Sequence, residues 1–302
     1  MKKKTNQIAI PRQDRIFGVI NTIILAVLLV VIAYPLYFVV IASISNPDAV
    51  NAGKVLLLPK DVYLGGYQKV LSNQNIIQGA KNTVLYTLLG TSMNVFVTMM
   101  GAYAVSVRFP GRRLVMSIIT FTMFFSGGMI PTYLVIKSLG LLDTTMVMIL
   151  PGLISVYNLI ITRTFIESNI PREMFEAAQI DGCNHTRFLF SIVWPLSGSI
   201  AAVIALYYGV GHWNSYMNGI LYLRDRSRFP LQLVLREILI LNQVSASEMF
   251  STSDLDVMAN LQRVADSMKY SLIIITTVPM MIVYPFVQRF FVKGVMIGSV
   301  KG

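Results

Sequence analysis

The residues whose types and spacing point to a function lie within one polar stretch, residues 167–195. The stretch contains an acidic residue followed by two small residues, then a glycine, an isoleucine and a proline: Glu176, Ala177, Ala178, Gly182, Ile192 and Pro195. Small side chains beside a glycine let another surface approach closely. The stretch is therefore a candidate contact with a second protein.

The same stretch predicts a short helix of about three turns, over residues 171–184. Asn169 is the predicted N-cap, Pro171 lies in the first turn and Gly182 is the predicted stop. Met174 and Phe175 help to make one side of this helix apolar. Composition alone leaves two interpretations equally open: a surface that binds a partner, or a segment that rests in the lipid headgroups.

Groups for covalent or redox chemistry are scarce elsewhere in the chain. The long apolar segments contain no Asp, Glu, Lys or Arg, and only His212 remains near the end of one of them. The chain has one cysteine, Cys183, no Cys/His cluster for a metal and no G-x-x-x-x-G-K-[ST] loop for ATP. A membrane-embedded hydrolase is disfavoured, and any pump must take its energy from another subunit.

The elements that position these residues are membrane spans. Of 302 residues, 55% are hydrophobic and only 13% charged, against about 25% charged in an average soluble domain. Six apolar segments are each long enough for a helix to cross a core about 30 Å thick. They predict an all-α integral membrane protein, a single domain over residues 1–302, with spans at about 16–43, 82–107, 114–136, 144–163, 188–213 and 270–290.

The charges between the spans predict the orientation. The net charge is +11, and the segments on the side of the N-terminus carry more basic and fewer acidic residues than the other side. Both termini are therefore expected in the cytoplasm of a multi-pass plasma-membrane protein. The long outer loops are 48–81, with a short helix near Tyr67 to Ser72, and 214–269, with a helix after Pro230.

The polar stretch resembles the E-A-A-x-x-x-G-x9-I-x-L-P signature of membrane subunits of ATP-binding-cassette importers, with Trp194 in place of the usual Leu. The resemblance implies a type I importer permease fold in which residues 171–184 form the coupling helix between spans 4 and 5. It assigns to the contact with a separate ATPase the residues Pro171, Met174, Phe175, Glu176, Ala177, Ala178, Asp181 and Gly182.

The chain is most similar to the carbohydrate-uptake branch, the second permease of maltose-type importers. Residues 228–237 and the tail 294–302 resemble the group of lipoprotein and polysaccharide-oligomer permeases. The resemblance implies a heterodimer with a related permease, two copies of a cytoplasmic ATPase that uses ATP and Mg²⁺, and an extracytoplasmic sugar-binding lipoprotein. No cofactor, metal or nucleic acid is expected on this chain.

A neutral sugar requires hydroxyl-compatible hydrogen bonds and aromatic faces rather than fixed charge. The candidate pore residues are Asn94, Tyr103, Tyr157, Asn158, Tyr207, Trp213 and Asn214. Each of them has an alternative role in helix packing or at the membrane interface. The sequence thus predicts half of the pore of an ATP-driven oligosaccharide importer; the alternative is an ATP-independent carrier or channel for a small neutral solute.

Overall fold

The computed structural model describes residues 12–247, 266, 268–286 and 288. Every regular element among these residues is helical. The chain divides into two compact units, residues 1–68 with 249–274 and residues 69–248 with 275–302.

The first unit contains the most apolar helix, α1 (Arg12–Ser43), followed by α2 (Pro47–Asn51) and the start of α3 (Gly65–Ser72). The most apolar window of α1 has a mean hydropathy of 2.9, and none of it is buried within the chain. Such a surface is stable only in lipid or against another apolar partner. A small core around Ile41 and Val55 closes this unit, and Phe38 packs edge-on against Tyr270.

The second unit is built around α4 (Gln74–Ser106). Helices α7 (Val156–Asn169), α10 (Gly198–Trp213) and α12 (Leu231–Ser247) pack against it. Glycines allow the closest approaches. A Cβ atom at Gly90 would lie 2.4 Å from His212 Nε2, and one at Gly79 would lie 3.2 Å from the Leu231 Cα. Small residues at such contacts are typical of membrane helix packing.

Two of the predicted spans are broken helices. The segment predicted as a span at 114–136 forms α5 (Arg112–Phe124) and α6 (Met129–Ser138), which are bent by 113°. Gly128, with φ +87°, permits that break. The segment predicted at 188–213 forms α9 (His185–Leu196), which contains a π turn at Leu189–Val193, and α10, bent by 81°. Pro195 lies next to this second break.

The predicted span at 144–163 is not one helix, which corrects the prediction. A 3₁₀ turn at Thr145–Met148 is followed by non-helical chain up to Ser155, and α7 then runs from Val156 to Asn169. Gly152, with φ +77°, follows Pro151, and these two residues prevent a continuous helix. The Ser155 side chain caps the new start by accepting the Asn158 N–H at 3.4 Å.

Three described helices are long and apolar enough to cross a membrane: α1, α4 and α13 (Met268–Phe286). Each bent pair counted as one span raises the number to five. Helix α7, with 14 residues, does not meet that length by itself. Helices are present where both outer loops were expected to contain one, at α3 and at α12, and α11 (Tyr216–Tyr222) precedes the latter.

Candidate functional site

The helix expected at 171–184 is α8 (Arg172–Ile180). Its N-cap is Pro171, which lacks a capping side chain, and Glu173 lies in the first turn, where a carboxylate stabilises the helix dipole. Asn169, predicted as the N-cap, is instead the last residue of α7, and its Nδ2 donates to the Phe165 carbonyl at 2.8 Å. The extended backbone of Ile170 and Pro171 separates the two helices.

The C-terminal end of α8 is a Schellman motif. The Cys183 N–H donates to the Ala178 carbonyl at 2.9 Å, and the Gly182 N–H donates to the Gln179 carbonyl at 3.0 Å. Gly182 has φ +77°, and a Cβ atom there would meet nothing within 4 Å. The glycine is therefore required for its backbone conformation and not for space, as its predicted role as a stop implies.

Helix α8 is attached loosely to the rest of its unit, since none of its residues is buried. The side chain of Ile180 is 87% exposed, Ala177 is exposed and Met174 is 38% exposed. Among the described residues, Glu176 pairs only with Arg172, one turn earlier, at 2.8 Å. An apolar side chain that is so exposed on a short helix marks a candidate contact surface.

The inner face of α8 rests on aromatic rings. Phe175 stacks on His185 with 4.6 Å between ring centroids and meets Phe188 edge-on at 5.0 Å. The Nδ1 atom of His185 shares a hydrogen bond of 2.9 Å with the Tyr103 hydroxyl of α4. Tyr103, predicted as a pore residue, therefore belongs to the surroundings of α8.

Beside these rings lies a cavity of about 570 Å³ between α8 and the ends of α4 and α7. Charged side chains form part of its wall. Glu167 pairs with Arg112 and, at 3.0 Å, with Arg163, which ties the start of α5 to the end of α7. The charged groups in this lining indicate that the cavity beside α8 is open to water or to a polar partner.

A second cavity, of about 430 Å³, brings together three of the predicted pore residues. Tyr157 and Tyr207 are 50% and 43% exposed, and their rings are 6.3 Å apart and tilted by 56°. Asn158 is only 4% exposed, but it also lines the cavity. Two aromatic faces beside an amide are the groups that a sugar ring requires.

The other predicted pore residues have structural roles. Asn94 is 1% exposed; its Nδ2 donates to the Gly152 and Leu153 carbonyls, and its Oδ1 lies 2.8 Å from His212 Nε2. The Trp213 Nε1–H donates to the Thr276 carbonyl at 3.1 Å. Asn214 ends α10 with a hydrogen bond of 2.9 Å to the Val210 carbonyl.

Sequence reasoning missed a polar network at the opposite end of α4. The Asn82 Nδ2 donates to the Ser227 carbonyl at 2.7 Å and to the Phe229 carbonyl at 3.0 Å. Three more side chains of α4 form hydrogen bonds with the backbone of the same segment. Gln78 donates to the Ser227 carbonyl and Tyr86 to the Arg228 carbonyl, and Thr83 accepts the Leu231 N–H. Gln78, Asn82 and Tyr86 follow one another at intervals of four residues, and Thr83 lies three residues before Tyr86, so all four lie on one side of the helix.

Asp143 holds the same segment from another side. Its Oδ1 accepts the backbone N–H groups of Arg224 and Asp225, each at 3.1 Å, and its own N–H donates to the Tyr222 carbonyl at 2.9 Å. These backbone hydrogen bonds hold the pKa of Asp143 below its ordinary value of 3.8. Asp143 has φ +56°, so its backbone adopts an uncommon conformation at this contact.

No group of three or more metal-ligating side chains occurs in the part of the chain that the structure describes. The comparisons with known proteins agree with the geometry. Residues 94–297 match the family described as "Binding-protein-dependent transport system inner membrane component". A solved bacterial ABC transporter involved in the import of the acidic polysaccharide alginate matches with a TM-score of 0.84 and 32% identity over 94% of this chain and 100% of that one.

Two relatives from Bacillus subtilis (strain 168) match almost end to end. The polygalacturonan/rhamnogalacturonan transport system permease protein YtcP is 39% identical over 294 residues, which is 96% of this chain and 100% of the relative. Protein LplC is 38% identical over 292 residues, which is 96% of this chain and 97% of the relative.

Proposed function

This chain belongs to the family of binding-protein-dependent transport system inner membrane components, and we propose that it forms half of the translocation pore of an ATP-driven importer of an oligosaccharide or polysaccharide fragment. It is an integral membrane protein with the fold of type I ABC importer permeases. One relative is named as a permease of a polygalacturonan/rhamnogalacturonan transport system, and the solved neighbour is involved in the import of the acidic polysaccharide alginate. Membership of this family favours the importer over the alternative, an ATP-independent carrier or channel.

The observation that carries the proposal is helix α8, whose exposed face leaves Ile180 without cover from the described part of this chain and thus suits a protein partner. The coupling helix comprises α8 and its glycine stop, within residues 171–184, and docks in a groove of a cytoplasmic ATPase. Ile180 and Ala177 face outward, whereas Phe175 and Ala178 are the half-buried residues that face the chain. A short helix whose C-terminal end is closed by a Schellman motif moves as a rigid body, and closure of two ATPases therefore displaces α8 without unfolding it.

The partners follow from this assignment. A related permease completes the pore, two copies of the ATPase use ATP and Mg²⁺, and an extracytoplasmic binding protein delivers the sugar. This chain itself hydrolyses no ATP. ATP binding favours the outward-facing state because the closed ATPases bind that state more tightly.

Six spans put both termini on the same side of the membrane, and the excess of basic residues on that side favours the cytoplasm. Helices α1, α4 and α13 cross as single helices, and the pairs α5–α6 and α9–α10 cross as broken spans. The remaining crossing is α7 together with the non-helical segment before it, whose Gly152 and Leu153 carbonyls are bonded by Asn94. Such bonds satisfy a non-helical backbone at membrane depth.

The sugar contact is the cavity lined by Tyr157, Asn158 and Tyr207. The two tyrosines present half-exposed ring faces for a pyranose, and the Asn158 amide donates to and accepts from hydroxyls. Asn94, Trp213 and Asn214 are engaged in hydrogen bonds within the chain and are not included in this contact.

The test is co-purification with the partner permease and the ATPase after exchange of Ile180. We expect Ile180→Asp to release the ATPase, because a carboxylate would be buried in an apolar contact. Ile180→Leu, the matched control, retains it. Neither variant disturbs the fold, since this side chain is 87% exposed.

Uptake of oligogalacturonides into vesicles completes the experiment. ATP-dependent uptake with the wild-type chain supports the importer. Normal retention of the ATPase by the Ile180→Asp variant would contradict the docking role of α8, and uptake that persists without any ATPase would contradict the importer itself.

A further inference from the structure

Helix α8 can pass a displacement to the spans only through the groups that its inner face touches. No residue of α8 is buried, and Phe175 and Ala178 are the half-buried ones. Its one side-chain ion pair, Arg172 with Glu176, lies within the helix. Among the residues that the structure describes, the route from α8 to the rest of the unit therefore begins at Phe175 and Ala178.

Phe175 contacts the next span through rings. It lies face-on to His185 and edge-on to Phe188, and both residues belong to the first turn of α9. Phe188 is 2% exposed and cannot move without its surroundings. A displacement of α8 is thus transmitted to α9 by packing.

The central helix α4 joins this group through one polar contact. The Tyr103 hydroxyl lies 2.9 Å from His185 Nδ1, and Tyr103 is 8% exposed. Within the described part of the chain, this is the one hydrogen bond between side chains of α4 and the segment from α8 to α9. Packing alone lets surfaces slide, whereas a hydrogen bond is directional and holds one register.

We propose that the hydrogen bond between Tyr103 and His185 is the joint that makes α4 follow the coupling helix, so that both residues position the pore in response to the ATPase. This inference rests on the proposed function. Tyr103 and His185 are positioning residues: neither touches ATP, and both act through the orientation of α4 relative to α8.

Two exchanges of His185 separate the bond from the ring stack. His185→Phe preserves a ring against Phe175 but removes Nδ1, whereas His185→Asn removes the ring and retains an amide near the position of Nδ1. Tyr103→Phe removes only the hydroxyl oxygen. Tyr133→Phe is the matched control, because the Tyr133 ring stacks on Tyr222 and its hydroxyl makes no such bond to any residue that the structure describes.

The readout is the stimulation of ATP hydrolysis by the binding protein in the assembled complex. Loss of one hydrogen bond between moving parts should lower that stimulation about threefold to tenfold in Tyr103→Phe and in His185→Phe. The double variant should be no worse than either single variant, since both remove the same bond. His185→Asn and Tyr133→Phe should retain most of the stimulation.

Several outcomes overturn the inference. Unchanged stimulation in Tyr103→Phe and His185→Phe shows that the bond carries no coupling. Loss of complex assembly in both variants assigns the bond to folding. Normal stimulation in His185→Phe together with its loss in His185→Asn assigns the transmission to the ring stack. A wild-type complex without any stimulation by the binding protein contradicts the proposed function instead.

Discussion

Two regions of the second unit are attached to it in opposite ways. The segment from Arg224 to Leu231 is hydrogen-bonded by four side chains of α4 and by Asp143. These side chains bond backbone groups of the segment, which cannot rotate away as a side chain can. Helix α8 has no buried residue and contacts its surroundings through aromatic rings and one relayed hydrogen bond.

The difference corresponds to what each region does in an importer. A segment fixed by many hydrogen bonds to α4 moves as part of that helix and presents a constant surface. A helix held by rings can tilt while its own backbone bonds stay intact. The following predictions test that contrast, in order of decreasing expected effect.

Asn82→Leu should destabilise the fixed segment most. The exchange leaves the Ser227 and Phe229 carbonyls without the amide that bonds both. The exposed Ser227 keeps Gln78 as a donor, whereas the Phe229 carbonyl is buried, and an unsatisfied buried polar group costs about 1 to 3 kcal/mol, so the free energy of unfolding should fall by about that amount. The measurement is the thermal denaturation of the purified complex. Ser92→Ala, on an exposed part of α4, is the control, and an equal loss there would disprove the special role of Asn82.

Gly182→Val should weaken coupling without unfolding the protein. A β-branched residue at φ +77° costs about 1 to 2 kcal/mol, which loosens the end of α8. We expect sugar uptake to fall about tenfold. Gly182→Asn is the matched control, because asparagine tolerates a positive φ and no atom lies within 4 Å of a Cβ there. Equal uptake by the two variants would contradict the conformational role.

The contact of Asp143 should show as an acid-sensitive contribution to stability. Its pKa is lower in the folded chain than the ordinary 3.8, so the contribution is present above pH 3.8 and is lost as the pH falls through the folded value. Asp143→Asn should flatten the dependence of the denaturation temperature on pH in that range. The pKa of Asp225 is also lowered, first of all by its bond with the Ser227 backbone, and this carboxylate remains in the variant. A wild-type profile without any slope below pH 3.8 would refute the expectation.

Arg172→Ala should change least. Its ion pair with Glu176 is exposed, with side chains 59% and 56% accessible, and such pairs contribute about 0.3 to 0.5 kcal/mol. We expect no measurable change in the stability of the complex at physiological salt. A clear loss of stability would show that α8 is held more firmly than its contacts indicate.

Local signals predicted the elements whose ends are set by neighbouring residues. Gly182 ends α8, and Pro230 precedes α12, as expected. The prediction of Asn169 as the N-cap of α8 was wrong, because α7 continues past its expected end and includes that residue. Hydropathy could not reveal the breaks at Ser197 or before Ser155, since no charged residue interrupts either segment.

The candidate sites were predictable to different degrees. The residues of α8 lie within one continuous stretch, so the spacing of a family signature could mark them as a candidate contact. The predicted pore residues come from α4, α7 and α10, and their roles depend on which way each helix faces. Asn94 and Tyr157 look equally suitable in the sequence, but Asn94 bonds the Gly152 carbonyl whereas Tyr157 faces a cavity.

The sequence by itself determined the membrane class and the absence of charge from the spans, because hydropathy is a property of neighbouring residues. A contiguous motif also marked α8 as a candidate contact surface. Only the tertiary structure decided that α4 bonds the segment after Arg224 through Asn82, and that Tyr103 meets His185. Asn82 and Ser227 are 145 residues apart in the chain, and Tyr103 and His185 are 82 residues apart. Such contacts depend on helix packing, which spacing along the sequence does not encode.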